Sequence, residues 1–233
     1  MIPKIIWQTH EAKYEDLQPF QKDIANTWKN LNPGWDYKYI DAVQKEKDVK
    51  AYSSVIYKCY KVSNKVNQAD LWRIINLYQN GGIYADMDSV CIRPLSDVID
   101  SSYNGQDMIC TSEGGDARLG PTWPGSINCS NFGSVKNSKI LKEILDEVEK
   151  KCQDMLETGQ TSQLLTHPGI PVWLSFSNIA KKNKYHILFK DDYCYHSRRF
   201  KKSFNEKYEV TYNNESIDYI ELATLNKWSI LSR

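Results

Sequence analysis

Two aspartates, Asp86 and Asp88, follow the short apolar run Ile83-Tyr84-Ala85 in the pattern Asp-x-Asp. Mg²⁺ and Mn²⁺ prefer oxygen ligands, and they keep coordination positions open for phosphate oxygens when only one or two carboxylates hold them. The pair therefore predicts a divalent-cation site that faces a phosphorylated ligand. Two solvated turn carboxylates are the alternative interpretation of the same pattern.

Asp70 and Arg73 lie three residues apart, so they share one face of the helix predicted just before this strand. A surface ion pair would have the same spacing. If the helix packs beside the strand, however, Arg73 can contact phosphate or sugar oxygens and Asp70 can accept hydrogen bonds from hydroxyls. We therefore count both residues with Asp86 and Asp88 as candidate catalytic residues.

The elements that must position these side chains alternate along the chain, which predicts an α/β fold with a mixed, mostly parallel sheet flanked by helices. Gly81-Gly82 ends the helix before the Asp-x-Asp strand. A loop is predicted at 113–126, where four glycines and two prolines occur without periodicity. Strands are predicted at 4–9, 36–41, 83–85, 107–112 and 127–135, and helices at 17–30, 45–60, 62–80, 138–152 and 171–182, with 45–60 mostly on the surface.

The segment NQADLWRIINLYQNGGIYADMDSVCIRPL at 67–95 strongly resembles the core of the DXD sugar transferases of glycosyltransferase family 32, and more distantly the glucosylating domain of large clostridial toxins. IPKIIWQTH at 2–10 resembles the family's opening strand, and NPGWDYKYID at 32–41 resembles the segment after its first helix. The residues that match the family pattern are Asp70, Arg73, Leu77, Tyr78, Gly81, Gly82, Tyr84, Asp86 and Asp88.

The resemblance implies a GT-A fold, Rossmann-like in its sheet, and a single domain over 1–233. In it, 1–100 would bind the nucleotide sugar and metal, and 101–233 would form the acceptor side and the C-terminal helices. It implies a UDP- or GDP-sugar donor, a glycan or other hydroxyl acceptor, a Mn²⁺ or Mg²⁺ ion, and retention of the anomeric configuration. Asp86 would touch the metal and ribose or sugar hydroxyls, and Asp88 would be the more direct metal ligand. The donor-binding residues would be Trp7, Gln8, Thr9, His10, Tyr84, Asp70 and Arg73.

The opening strand departs from the family, which usually has His before the Gln and Trp after the Thr, whereas this chain has Trp7 and His10. The aromatic ring that stacks on the nucleobase is therefore either replaced by His10 or moved to Trp7. Related folds take a third metal ligand, often a His, from near the carboxyl terminus. His196 is the candidate here, and an ordinary surface histidine is the alternative.

Two other functions fit parts of the pattern. In a phosphatase of the haloacid dehalogenase type, Asp86 would attack phosphorus, Asp88 would act as acid and base, and Asp191-Asp192 would be a distal metal pair. Such a motif normally closes a long apolar first strand, and it gives no role to Asp70 or Arg73. A non-catalytic carbohydrate-binding relative is the other alternative.

The amino-acid composition limits the classes of partner that the chain is expected to bind. The 30 basic residues nearly balance the 29 acidic ones, so there is no strong positive field for nucleic acid, and a small or neutral partner is expected. No apolar run approaches the ~20 residues of a membrane span. We therefore expect a soluble cytoplasmic protein, either free or peripheral at a membrane where glycans are assembled. The basic run RRFKK at 198–202 would be a solvated face, or would lie beside phosphates or an anionic surface. The six irregularly spaced cysteines predict reduced thiols.

Overall fold

The computed structural model describes residues 1–100, 102–112, 127–161, 178–179, 182–183, 186–189, 194–196, 200–202, 208–212 and 215–218, with the backbone alone at 20, 112, 127, 128 and from 189 onward. The helices are α1 (Pro19–Leu31), α2 (Ala42–Tyr52), α3 (Ser54–Val62), α4 (Lys65–Asn80), α5 (Leu95–Val98) and α6 (Lys139–Thr158). The strands are β1 (Ile5–Thr9), β2 (Asp36–Ile40), β3 (Gly82–Ala85), β4 (Ser89–Cys91), β5 (Met108–Ser112), β6 (Ile127–Ser134), β7 (Ile187–Phe189), β8 (Cys194–His196), β9 (Phe200–Lys202), β10 (Tyr208–Tyr212) and β11 (Glu215–Asp218).

Six strands form the main sheet in the order β2-β1-β3-β6-β5-β7. β1 runs parallel to β2 and β3, and β5 runs parallel to β7, whereas β6 is antiparallel to both of its neighbours. The predicted mixed, mostly parallel sheet is thus confirmed. The carboxyl ends of β1, β2 and β3 lie at one edge, and the antiparallel β6 brings its amino end to the same edge. Two smaller sheets have the orders β11-β10-β9 and β4-β8.

Successive strand residues point to opposite sides of the main sheet, and residues on both sides are buried. On one side, Ile6 and Ile83 pack with Trp28 of α1. On the other, Trp7 and Tyr84 pack with residues of α3, α4 and α6. The result is the helix-covered sheet that the alternating pattern predicted.

The five predicted strands are all present, but the helix predicted over 45–60 differs from the structure in two respects. It is two helices, because Ser53 is extended (φ −150°, ψ 129°) and its side chain accepts a hydrogen bond from the Ile56 amide, which caps α3. The other difference is that Lys45, Val49 and Ile56 are buried, although most of the segment is exposed or half-buried as predicted. The predicted loop at 113–126 and most of the predicted helix at 171–182 lie outside the described residues.

Helix ends otherwise follow local chemistry. α4 begins at Lys65 because the Asn64 side chain caps it by accepting from the Asn67 amide. α6 continues beyond the predicted end and terminates at Gly159, which adopts a left-handed conformation (φ 69°). Within the part of the chain that the structure describes, no helix is both long and apolar enough to cross a membrane.

Candidate active site

The Asp-x-Asp pair lies on a tight turn at the carboxyl edge of the sheet. β3 ends at Ala85, and the Ser89 amide donates to the Asp86 carbonyl (2.9 Å), which closes a four-residue turn before β4. The Asp86 amide donates to the carbonyl of Ser130 in β6 (2.8 Å), which fixes the start of the turn. Asp86 and Asp88 are both half-buried, so each keeps an exposed edge.

Arg73 connects the helix carboxylate to the turn carboxylate. Its Nη2 atom lies 2.6 Å from Oδ1 of Asp70, and its Nη1 atom lies 3.4 Å from Oδ1 of Asp86. The same guanidinium donates to the Cys129 carbonyl and lies 4.7 Å from the centre of the Tyr84 ring. The face that Asp70 and Arg73 share on α4 is thus directed at the Asp-x-Asp turn, as their spacing predicted.

This arrangement concentrates charge in a buried place, since Arg73 is 4% and Asp70 is 8% exposed. Burial disfavours the Arg73 charge, but Asp86, Tyr84 and Asp70 outweigh it and raise the pKa of the guanidinium. Burial also raises the pKa of the Asp86 carboxyl; Arg73 opposes this increase and the nearby Asp88 carboxylate adds to it. The turn therefore gathers more negative charge than Arg73 alone balances.

The side chain of Tyr84 orients the Asp86 carboxylate. Its ring is 1% exposed, between α4 and β6, and its phenol donates a hydrogen bond to Oδ1 of Asp86. Burial raises the pKa of the phenol, so it remains a donor at neutral pH. Tyr84, predicted to bind the donor, contacts the carboxylate of Asp86, and its role at a donor stays a prediction.

β1 supplies supporting contacts. Gln8 is fully buried and donates to the Asp86 carbonyl (3.1 Å), while its oxygen accepts from the Tyr37 hydroxyl (2.8 Å). The Thr9 hydroxyl donates to the Ile40 carbonyl (2.7 Å) and joins β1 to β2. Among the predicted donor-binding residues of this strand, Gln8 is therefore attached to the Asp-x-Asp turn by its side chain, and Thr9 is not.

Trp7 is packed in the core and is 8% exposed, with its indole N–H donating to the Gly81 carbonyl (2.9 Å). A Cβ on Gly82 would lie 2.6 Å from the Ile5 carbonyl and 2.9 Å from Nε1 of Trp7, at φ +104°. Glycine is thus required where β3 starts beside β1. Because Trp7 presents so little surface, the structure favours His10 over Trp7 as the ring available to a base.

His10 follows β1 and is half-buried. Its Nδ1 atom accepts from the Ala12 amide (3.2 Å), and its Nε2 atom lies 3.2 Å from Nε2 of Gln21. Burial lowers the pKa of His10, Glu11 opposes this effect and Lys45 adds to it. The imidazole is therefore kept neutral near pH 7, as suits a ring that stacks on an uncharged base.

The described residues are compatible with a hard cation at the turn. Asp86 and Asp88 provide carboxylate oxygens, the ligands that Mg²⁺ and Mn²⁺ prefer, and both lie on the tight turn that the Ser89 amide closes. Among the described residues, no group of three or more His, Cys, Asp or Glu could hold a metal.

The backbone of His196 pairs with Ser89, where β8 lies antiparallel to β4, so His196 is next to the turn in register. Its side chain is outside the described residues, and its role as third ligand stays a prediction. Of the basic run, 200–202 form β9, whereas 198, 199 and the predicted distal pair Asp191-Asp192 are outside the described residues.

Sequence reasoning missed a second charged cluster beside the first. Lys45 of α2 is 1% exposed and forms an ion pair with Glu11, whose other oxygen lies 3.2 Å from Nζ of Lys65. Burial lowers the pKa of Lys45, and Arg73 contributes to the decrease, which places Lys45 within electrostatic range of the site. Glu11 and Lys45 are 34 positions apart, so no local spacing signals their contact.

Comparison with known proteins supports the interpretation of this geometry. Residues 20–105 match the family model described as a glycosyltransferase sugar-binding region containing a DXD motif. The match therefore covers a DXD region that makes up less than half of the chain. This DXD region includes α1 to α5, β2 to β4, and the residues Asp70, Arg73, Asp86 and Asp88. Gln8, which donates to the Asp86 carbonyl, lies outside its matched bounds.

Two further likenesses agree. The chain is 33% identical over 109 residues to the initiation-specific alpha-1,6-mannosyltransferase of Candida albicans; the match covers 43% of this chain and spans 28% of that protein. The structure is similar to the PaToxG glycosyltransferase, with a TM-score of 0.53 at 14% identity, over 78% of this chain and 69% of that one. The latter likeness concerns the fold, and the predicted GT-A fold is confirmed.

Proposed function

We propose that the chain transfers a sugar from a nucleoside-diphosphate sugar to a hydroxyl acceptor, with a divalent cation held at Asp86 and Asp88 and the donor's anomeric configuration retained. The observation that carries the proposal is the connection of the DXD turn to α4, in which Arg73 contacts the carboxylates of both Asp70 and Asp86. A solvated turn pair would have no such buried counterpart.

The partly exposed and the buried residues of the site would have different roles. Asp86 and Asp88 keep exposed edges and would hold the cation, which supplies a Lewis acid at the diphosphate leaving group. Asp70 and Arg73 lie next to Asp86 through their ion pairs and would contact the donor sugar. Arg73 also fixes the orientation of Asp86, so that the carboxylate is preorganised before the donor binds.

His10 is the proposed base contact, since it lies at the carboxyl end of β1 at the same sheet edge. The match to an alpha-1,6-mannosyltransferase makes mannose the first sugar to test. Retention of configuration is proposed from the resemblance to family 32, and proton NMR of the product's anomeric signal tests it directly.

Calorimetric titration of the purified chain with UDP and GDP, with Mn²⁺ or with EDTA, tests the metal role. We expect Mn²⁺ to strengthen binding of the preferred diphosphate at least about tenfold, which is ~1.4 kcal/mol. Asp88→Asn should abolish the increase and leave metal-free binding unchanged. Equal affinity in Mn²⁺ and in EDTA would refute the metal site.

A phosphatase would give a different pattern. It would hydrolyse simple phosphate esters with Mg²⁺, lose that activity in Asp86→Asn, and respond to changes at Asp70 and Arg73 only through stability. Transfer or hydrolysis of a nucleotide sugar, without phosphate ester hydrolysis, is the result expected here.

A further inference from the structure

Ser89, the residue directly after Asp88, is fixed through all of its polar groups. Its amide donates to the Asp86 carbonyl (2.9 Å), its carbonyl accepts from the indole N–H of Trp28 (2.7 Å), and its hydroxyl accepts from Nδ2 of Asn131 (2.9 Å). Ser89, Trp28 and Asn131 are all 0% exposed. The turn and α1 therefore meet at the backbone of Ser89, and β6 contacts its side chain.

The contact with Trp28 is part of a longer interaction between α1 and the segment after the turn. The hydroxyl of Thr27 accepts from the Cys91 amide (3.1 Å), and Oδ1 of Asn32 accepts from the Leu95 amide (2.7 Å). β4 has three residues and pairs with the short β8, and it is not part of the six-stranded sheet. Side chains of α1 thus supply partners that buried backbone groups need and that the main sheet does not provide here.

We propose that Trp28 and Ser89 are positioning residues for the cation site: together they fix the carboxyl end of the Asp86–Ser89 turn, and so fix Asp88 relative to Asp86. The inference rests on the proposed function, because it concerns the cation that the two carboxylates would share. Mg²⁺ and Mn²⁺ sites tolerate little displacement of a ligand, and partners that orient metal ligands are worth about 10- to 100-fold in metal affinity.

The start of the turn is fixed independently, by Tyr84 on the Asp86 carboxylate and by Gln8 on the Asp86 carbonyl. Loss of the Trp28 or Ser89 contact would therefore move Asp88 and leave Asp86 in place. The predicted consequence is selective, because metal binding needs both carboxylates, whereas the Arg73 network needs only Asp86.

Trp28→Phe and Ser89→Ala test the inference, since each removes one hydrogen bond and keeps most of the packing. Mn²⁺ affinity is measured by electron paramagnetic resonance of free Mn²⁺, and diphosphate affinity by calorimetry with and without Mn²⁺. We expect each variant to bind Mn²⁺ about tenfold more weakly. Binding of the diphosphate in EDTA should change less than about twofold, which is ~0.4 kcal/mol.

The chain offers a matched control for each variant. Trp72 is also 0% exposed and donates its indole N–H to Oδ2 of Asp48 in α2 (2.9 Å), so Trp72→Phe also loses one indole hydrogen bond, and it keeps an aromatic ring beside Tyr84. Ser134 is 0% exposed at the far end of β6, with its hydroxyl on the Leu77 carbonyl (3.3 Å), so Ser134→Ala matches Ser89→Ala. Both controls should bind Mn²⁺ like the wild type.

The outcomes separate this inference from the proposed function. If the wild type binds diphosphate equally well in Mn²⁺ and in EDTA, the cation site itself is refuted, and this inference with it. If the wild type depends on Mn²⁺ but both test variants bind Mn²⁺ normally, the positioning role alone is overturned. Equal losses in the test and control variants also overturn it, because they would reflect general stability.

Discussion

Two buried cations, Arg73 and Lys45, lie within electrostatic range of each other and are neutralised in different ways. Arg73 contacts two carboxylates, Asp70 and Asp86, which come from the same stretch of sequence. Lys45 forms an ion pair with the carboxylate of Glu11, which it shares with Lys65. Among the described residues, the first arrangement places two carboxylates on one guanidinium, and the second places two lysines on one carboxylate.

This difference suggests separate roles: the carboxylates of the DXD turn suit a bound cation, and the Glu11 cluster suits a structural role. Excess carboxylate at an edge that remains partly exposed suits a metal. By contrast, the Glu11 bridge connects the loop after β1 to α2 and α4, next to His10, and so stabilises the loop that would carry the base contact. The predictions below test this contrast, beginning with the largest effect.

Arg73→Met should have the largest effect, because it leaves Asp70 and Asp86 without their shared counter-charge. We expect the free energy of unfolding to fall by about 3–5 kcal/mol, the typical result of breaking a buried ion pair. Urea denaturation at pH 7 measures it. Asp70→Asn with Arg73→Met should recover part of the loss, since one buried carboxylate is then neutral.

A loss below about 1 kcal/mol in Arg73→Met would contradict this, as it would match an exposed ion pair. Donor binding gives a second readout in a variant that remains folded. A loss that appears with the nucleotide sugar and not with the bare diphosphate would place Arg73 at the sugar, as the proposed function requires.

Glu11→Gln should have an intermediate effect, because it removes the carboxylate that compensates Lys45. We expect a loss of about 1–3 kcal/mol in the free energy of unfolding, toward the lower end because the Glu11 side chain is 33% exposed. Lys45→Met should cost less than about 1 kcal/mol, since an apolar side chain of similar size replaces a buried charge and Glu11 keeps Lys65.

Glu11→Gln should therefore destabilise the protein more than Lys45→Met does. Lys65→Met is the control, because the Lys65 side chain is 68% exposed and its pair with Glu11 should contribute about 0–1 kcal/mol. If Lys45→Met destabilises the protein more than Glu11→Gln, the buried lysine has a favourable role of its own, and the supporting role assigned to this cluster is wrong.

The same contrast explains what the sequence could predict. Asp70, Arg73, Asp86 and Asp88 lie in one contiguous motif, where a helix period and a strand end are local properties, so their approach to one another was predicted correctly. Parallel pairing of β1, β2 and β3 also followed from alternating helices and strands. Local periodicity and spacing therefore sufficed for the DXD side of the site.

The misses have a shared physical cause. Lys45 lies in the helix predicted to be mostly on the surface, and its burial is accompanied by an ion pair with Glu11, a partner distant in sequence. The break at Ser53 depends on one residue's extended backbone and its cap. The role of Trp7 could not be read either, since its hydrogen bond to Gly81 forms only when β1 and β3 are neighbours.

His10 provides the smallest predicted effect and a test of the β1 side by pH. Its pKa in the folded protein lies below the ordinary value of 6.5, because burial and Lys45 outweigh Glu11. Between the lowered pKa and 6.5, the unfolded chain binds a proton that the native protein does not, so the free energy of unfolding falls as the pH is lowered through this window.

His10→Gln removes that contribution, and the stability of the variant should depend less steeply on pH there. Urea denaturation of both proteins between about pH 5 and pH 8 measures the two slopes. Above this pH window His10 is neutral in both the folded and the unfolded protein. The difference in stability between wild type and variant should therefore become constant there, which provides the internal control. A wild type that gains stability relative to His10→Gln as the pH falls would show that the folded protein favours the imidazolium, and a neutral stacking ring at this position would then be excluded.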